Sequence, residues 1–117
     1  MSQKLIAEKW FDAFNRHNLE DLLSLYDDQA EHYSPKLKVK QPETRGLIKG
    51  KTQLRVWWAD SFSSLPSLRY YPNIIMSDGN KIFMEYLRKV DNQDDIIVGE
   101  LLILENGKII ASKVYHS

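Results

Sequence analysis

An α+β fold is predicted by three features of the sequence. Apolar residues recur at helical spacing through much of the first half of the chain. They alternate at strand spacing through the second. The turn signals DGN, DNQDD and ENG join the strand-like runs in direct succession, with no helix between them. Helices segregated from a meander of strands imply an antiparallel sheet covered on one side, and not a parallel doubly wound one. The 117 residues suit one domain, 1–117.

The elements follow in order. Ala7, Trp10, Phe11 and Phe14 make one apolar stripe, with Glu8, Asp12 and Arg16 opposite, so the first segment is a helix. Asn18 starts a second, shorter helix as an Asx N-cap, with Asp21 near the third helical position. Leu19, Leu22, Leu23 and Tyr26 form its buried stripe, and DDQ ends it. A short strand, AEHYS, stops at Pro35. The Lys-, Pro- and Gly-rich stretch from Pro35 to Lys49 is predicted to be a surface loop. After Gly50 a third helix places Leu54, Trp57, Trp58 and Phe62 on one face, and Pro66 closes it. Four strands remain: SLRYYPNIIMSD, KIFMEYLRKV, DIIVGELLILE and KIIASKVYHS. Pro72 demotes the middle of the first of these to an edge or a bulge.

The stretch GLIKGKT, residues 46–52, is superficially a phosphate-binding loop. That motif needs four residues between its glycines and a buried strand before them. Here three residues separate Gly46 from Gly50, and the preceding KQPETR is a poor buried strand. The spacing matters because such a loop wraps successive backbone N–H groups around an oxyanion. Gly50 is instead predicted to turn the chain into the third helix.

Acidic and basic residues balance at 16 each, so no global field draws the chain to nucleic acid or to an anionic membrane. Lys36, Lys38 and Lys40 in KLKVK are expected to be solvated, and no nucleic-acid or membrane partner is expected. Cysteine is absent, which removes disulfides and thiolate chemistry and suits a reducing compartment. Glu8 and Lys9 interrupt any signal-peptide core, and the expected location is cytoplasmic. The three histidines lack metal-ligand spacing, so no metal is expected.

The succession FDAFNRHNLEDLLSLYDDQAEHYSP, GLIKGKTQLRVWW, SLPSLRY and ENGKIIASKVY resembles the SnoaL-like branch of the nuclear-transport-factor-2-like superfamily, over nearly the whole chain. The resemblance implies a conical α+β barrel. In it a curved, mainly antiparallel sheet holds three N-terminal helices in its concave face and leaves a pocket at the wide end. Polyketide cyclases, ketosteroid isomerases, limonene epoxide hydrolases, dehydratases and many proteins without known activity share it, so the fold does not set the function.

Glu100 is the most conspicuous carboxylate, flanked by apolar residues on both sides and sharing a strand face with Leu102 and Leu104. In an apolar pocket its pKa rises, and it serves as a general acid or as a neutral donor to a developing oxyanion. The alternative is a solvent-facing carboxylate, or one paired with a Lys or Arg on a neighbouring strand. By resemblance to the ketosteroid isomerases, the base falls at Ser34, the tyrosine at Trp10 and the acid at Glu100. Supporting aromatics fall at Tyr26 and Trp58. Only the acid is retained in kind, which argues against steroid isomerisation by that route. By resemblance to the limonene epoxide hydrolases, the Asp-Arg-Asp set falls at Glu85, Phe83 and Val114, with two of the three lost. His32 shares a face with Ser34 and is the natural substitute for the missing base, since histidine ordinarily titrates near neutrality. The alternative is a half-buried histidine bonded to backbone.

The expected site is therefore His32 as base and Glu100 as acid, with Trp10, Phe14, Tyr26, Ser34, Trp58, Glu85 and His116 lining a pocket for a small, largely apolar molecule. His116 either lines the pocket mouth or frays with the terminus. No cofactor is expected. Two functions stay open, a cofactor-independent acid–base enzyme (isomerase, dehydratase, cyclase or hydrolase) and a non-catalytic binding or interaction module. Because IIVGELLIL is apolar on both faces, Leu101 and Ile103 need cover, and a homodimer through the outer face of the sheet is expected.

Overall fold

A computed structural model describes residues 2–115 of the chain. The apolar stripe of the first segment folds as α1 (Gln3–Asn15), which Ser2 caps by accepting from the Leu5 N–H. Trp10, Phe11 and Phe14 are buried as predicted, together with Ile6, Ala7 and Ala13. Asn18 caps α2 (Leu19–Ser24) by accepting from the Asp21 N–H at 3.0 Å, also as predicted.

From there the chain departs from expectation. Tyr26 is not on the second helix. It opens β1 (Tyr26–Tyr33), and the irregular pairing between Tyr26 and Glu31 absorbs DDQ as a bulge inside the strand. The segment read as a loop is structured. Pro35–Lys40 is a short helix, α3; Pro42–Thr44 is a 3-10 turn; and Leu47–Lys49 is a strand, β2, paired with β1. The physical cause is a helix start that lysine content obscured. Ser34 is an N-cap, accepting from the Lys36 N–H at 3.2 Å, and Pro35 takes the first helical position, where its missing N–H costs nothing. KLKVK is thus helical and not extended, with Lys36 and Lys40 one turn apart.

Gly50 begins α4 (Lys51–Ser64) with φ 86° and ψ 151°, a conformation that is costly for any residue with a Cβ. Leu54, Trp57 and Trp58 of α4 are buried. The four later strands are β3 (Arg69–Asp78), β4 (Lys81–Lys89), β5 (Ile96–Glu105) and β6 (Lys108–Tyr115). Pro72 sits where the β3–β4 register slips, and β3 is an edge strand, as the proline requires.

The sheet has the order β2-β1-β6-β5-β4-β3. All pairs are antiparallel except β1 with β6, which are parallel. Curved and unclosed, it holds α1, α2 and α4 against its inner face. Inward residues alternate along each strand: Tyr26, Ala30 and His32 on β1; Ile82, Met84, Tyr86 and Arg88 on β4; Val98, Glu100, Leu102 and Leu104 on β5. No helix of the described residues is long and apolar enough to cross a membrane.

Gly46, at φ 87°, ends the turn ahead of β2, and a Cβ there would lie 2.9 Å from the Tyr33 ring and 3.3 Å from the Ser34 carbonyl oxygen. Gly46→Ala is therefore expected to lower the unfolding free energy by about 1–3 kcal/mol, with the larger part from backbone strain. Urea titration of the variant measures this; an unchanged midpoint would show that the turn does not need glycine.

Candidate functional site

The inner face of the sheet, α1, α3 and α4 enclose a cavity of about 400 Å³. Its wall is largely aromatic. The Trp10 ring stacks on Phe14 at 5.3 Å and on Tyr70 at 5.8 Å; Phe14 stacks on Tyr70 at 4.0 Å, and Tyr70 on Tyr86 at 4.1 Å. Trp57 and Trp58 from α4 close another side. Large, rigid rings at these separations hold one another in place and leave a defined void.

Glu100 lies in this wall, 2 % exposed. The Tyr86 hydroxyl donates to its Oε1 at 2.7 Å, and its Oε2 has no partner among the described residues. Burial pushes the carboxyl up from an ordinary value near 4.5 to about 8, against the smaller pull of the Tyr86 hydrogen bond, which favours the ionised form. At neutral pH Glu100 is a carboxylic acid. With Oε1 accepting from Tyr86, the proton belongs on Oε2, a donor with nothing yet to bond.

His32 lines the same cavity and is 3 % exposed. Its Nδ1 lies 2.6 Å from the Ser112 hydroxyl. The chain of hydrogen bonds behind it has a direction. The Trp10 indole can only donate, and it does so to the Tyr26 hydroxyl at 3.1 Å; Tyr26 donates to Ser112 at 3.3 Å. Ser112 and His32 Nδ1 share the last of these bonds, and Nε2 is the ring nitrogen left to the cavity. Burial holds the imidazole pKa down, to about 4. The expectation of near-neutral titration is thereby corrected: His32 is a neutral ring in the cavity wall, because desolvation disfavours its cation.

The other expected residues divide. Trp10, Phe14, Ser34 and Trp58 line the cavity. Ser34 is engaged as the cap of α3. Tyr26 lies behind the wall, where its hydroxyl links Trp10 to Ser112. Glu85 is a correction. It lies on the outer face of β4, since the inward parity of that strand is Ile82, Met84, Tyr86 and Arg88. His116 lies outside the described residues.

Sequence reasoning missed Tyr70, Tyr86, Arg88 and Lys36, all lining the cavity. The signal for Tyr86 and Arg88 was the β4–β5 register. Met84 pairs with Glu100, so residues of the same parity on β4 share the Glu100 face.

The family model for the SnoaL-like domain matches residues 7–111. Among solved structures, the chain resembles a SnoaL-like protein of unknown function from Burkholderia thailandensis, with a TM-score of 0.86, 20% identity and coverage of 100% of this chain and 98% of that one. It is also similar to a putative polyketide cyclase from Sinorhizobium meliloti (TM-score 0.80, 14% identity, 94% and 93% covered). A third similar structure is TerC co-crystallised with polyporic acid (TM-score 0.84, 15% identity, 97% and 90% covered). No curated protein sequence is close enough to count as a match.

The two shifted groups set a testable pH dependence. Between the unfolded and folded values of Glu100, the native state holds a proton that the unfolded chain has lost, so stability falls as pH rises from about 4.5 to about 8. For His32 the unfolded chain holds the extra proton, so stability is lost as pH falls from about 6.5 to about 4. The two slopes offset below about 6.5, leaving Glu100 alone above it. Urea unfolding of the wild type is expected to show decreasing stability between pH 6.5 and 8. Glu100→Gln is expected to abolish that decline and to retain the acid limb. In Tyr86→Phe the decline is expected to extend to higher pH, because the hydrogen bond that favours the carboxylate is gone.

Proposed function

The chain belongs to the SnoaL-like domain family, and on that premise we propose that it is a cofactor-independent acid–base enzyme acting on a small, largely apolar molecule with a polarisable oxygen. The observation that carries this is the buried, protonated Glu100, whose Oε2 has no partner among the described residues. A neutral acid held by Tyr86 in a desolvated wall is suited to donate a hydrogen bond, or its proton, to an oxygen on which negative charge develops. His32, a neutral imidazole, faces the same cavity.

The corresponding reaction is enolisation. A proton leaves the carbon next to a carbonyl, the carbonyl oxygen gains charge, and Glu100 meets that charge. Among the described residues the cavity holds no ionised carboxylate, and the group in its wall that accepts this proton is neutral His32, whose Nε2 is free when Nδ1–H donates to Ser112. Isomerisation, dehydration and cyclisation all pass through such a step, and the similarity to a putative polyketide cyclase fits it. The same lack of an ionised carboxylate favours a second reading, a binding module that holds a ligand oxygen without turning it over.

Hydrogen–deuterium exchange at the α-carbon of 2-tetralone in deuterium oxide, followed by NMR, separates the two. The expected result is acceleration over buffer that falls by roughly 10²–10³-fold in Glu100→Ala, the usual loss for one oxyanion donor. Binding of 2-tetralone by calorimetry with no acceleration would leave only the binding module.

The outer face of the sheet supports a proposed homodimer. It carries Ile97, 60% exposed, with Phe83, Leu101 and Ile103 only partly covered. Sedimentation at micromolar concentration is expected to give a dimer, and Ile97→Glu a shift towards monomer; a monomeric wild type would refute it.

A further inference from the structure

The cavity wall carries three cations, Lys36, Lys40 and Arg88. Arg88 is 5% exposed, and among the described residues its only side-chain hydrogen bond is from Nη1 to Gln93 Oε1 at 3.1 Å. Among the described residues no carboxylate lies within ion-pair distance of any of the three. The contrast with the next residue is direct. Lys89, half-exposed on the opposite parity of β4, pairs with Asp95 at 3.3 Å. Arg16, Lys51 and Arg55, all on the surface, have carboxylate partners as well. Other lysines and arginines also lack an ion pair, but Arg88 is the one buried cation among the described residues.

A buried guanidinium without a counter-charge is costly, and proteins that keep one generally supply an anion. Two further observations show that the positive charges gather in one place. The Lys36 ammonium is held down to about 8, first by burial and then by the like charges of Arg88 and Lys40. Glu100, the one carboxyl in the wall, shows no influence from any of these cations. The strand register explains the separation. Glu100 pairs with Met84, so Arg88 is four residues further along β4, roughly 13 Å away at the rise of a strand. The cavity therefore has a cationic end, formed by α3 and the end of β4, and a neutral acid end at Glu100. Aromatic rings lie between them.

We propose that the occupant of this cavity is an organic anion, with a flat apolar body against the aromatic wall and a carboxylate seated at Arg88 and Lys36, with Lys40 beside them. The guanidinium matches a carboxylate in a two-pronged geometry that no neutral group reproduces. The proposal names the ligand class for the pocket of the proposed function and rests on that pocket being a ligand site; it does not require catalysis at Glu100.

Isothermal titration calorimetry of the wild-type chain with three probes of one shape tests it: 2-naphthoate, 2-naphthylmethanol and 2-naphthylmethylammonium. The naphthoate is expected to bind at least about tenfold more tightly than the alcohol, as a charge-assisted contact implies, and the ammonium is expected not to bind. Arg88→Met and Lys36→Met are each expected to remove most of that preference while leaving the affinity for the alcohol in place. Lys36 is partly exposed, so its variant reports even where the Arg88 variant folds poorly. Glu100→Ala is expected to keep the preference. Alcohol and naphthoate binding equally to the wild type would overturn the anion and leave the pocket. A preference that survives both methionine variants would move the anion seat elsewhere and overturn the assignment. No binding by any of the three would overturn the pocket as a ligand site, and the anion with it.

Discussion

Everything at the site depends on a carboxyl group kept out of water. Glu100 is inserted into β5 between Val98 and Leu102, on the face that the helices cover, and among the described residues its carboxyl receives one hydrogen bond, from Tyr86. A carboxylate in that position would need two or three donors to remain ionised. With one, neutralisation costs less than desolvating a charge, so the proton stays. The aromatic wall follows from the same constraint. Rings exclude water from the acid without offering it a cation, and the stack from Trp10 through Phe14 and Tyr70 to Tyr86 spans α1, β3 and β4. Burial raises the Tyr70 and Tyr86 phenols too, with the nearby Glu100 charge adding to it, so these hydroxyls remain donors across the physiological range.

A second constraint orients the histidine. An indole N–H has no acceptor capacity, so Trp10 sets the direction of the bonds through Tyr26 to Ser112, which meets His32 Nδ1. That relay joins α1 to β1, β6 and again β1. It holds the ring in one orientation, and it uses Tyr26 and Ser112 as supports and not as groups that meet a ligand. The result differs in kind from a catalytic histidine beside a carboxylate. Among the described residues nothing anionic stabilises its cation, and burial keeps it neutral.

What was legible in the sequence follows the range of the interactions involved. α1, the Asn18 cap, the Gly50 start of α4, the Pro72 irregularity and the strand meander are written in residues a few positions apart, and each is found as predicted. Glu100 was legible because its neighbours in sequence are also its neighbours on the strand. The faces of β4 were not. Parity is decided by pairing with β5, and IFMEYLRK is apolar or amphipathic on both sides, so the sequence alone does not separate the face of Glu85 from that of Tyr86 and Arg88. The helix at Pro35–Lys40 was missed for another reason. Its Ser-Pro start is a local signal, but the lysine content drew the segment toward a loop. The Ser112 relay was beyond reach, because it joins residues 16 to 86 positions apart.

The two ends of the cavity rest on different kinds of structure, and this bears on how one fold serves many chemistries. The acid is carried by β5, between two antiparallel neighbours in the sheet, where a change of side chain is felt across three strands. Lys36 and Lys40 are carried by a six-residue helix held by a serine cap and by the turn that Gly46 closes. A short capped helix exchanges its exposed residues at little cost in stability, whereas a buried acid and its tyrosine must change together or leave an unpaired polar group. On the reading proposed above, selection of the ligand by charge and polarisation of its oxygen are thus separable. Substitutions on α3 would alter what enters, those on β4 and β5 what is done to it, and Arg88, alone among the three cavity cations in being set in the sheet, would tie the two together.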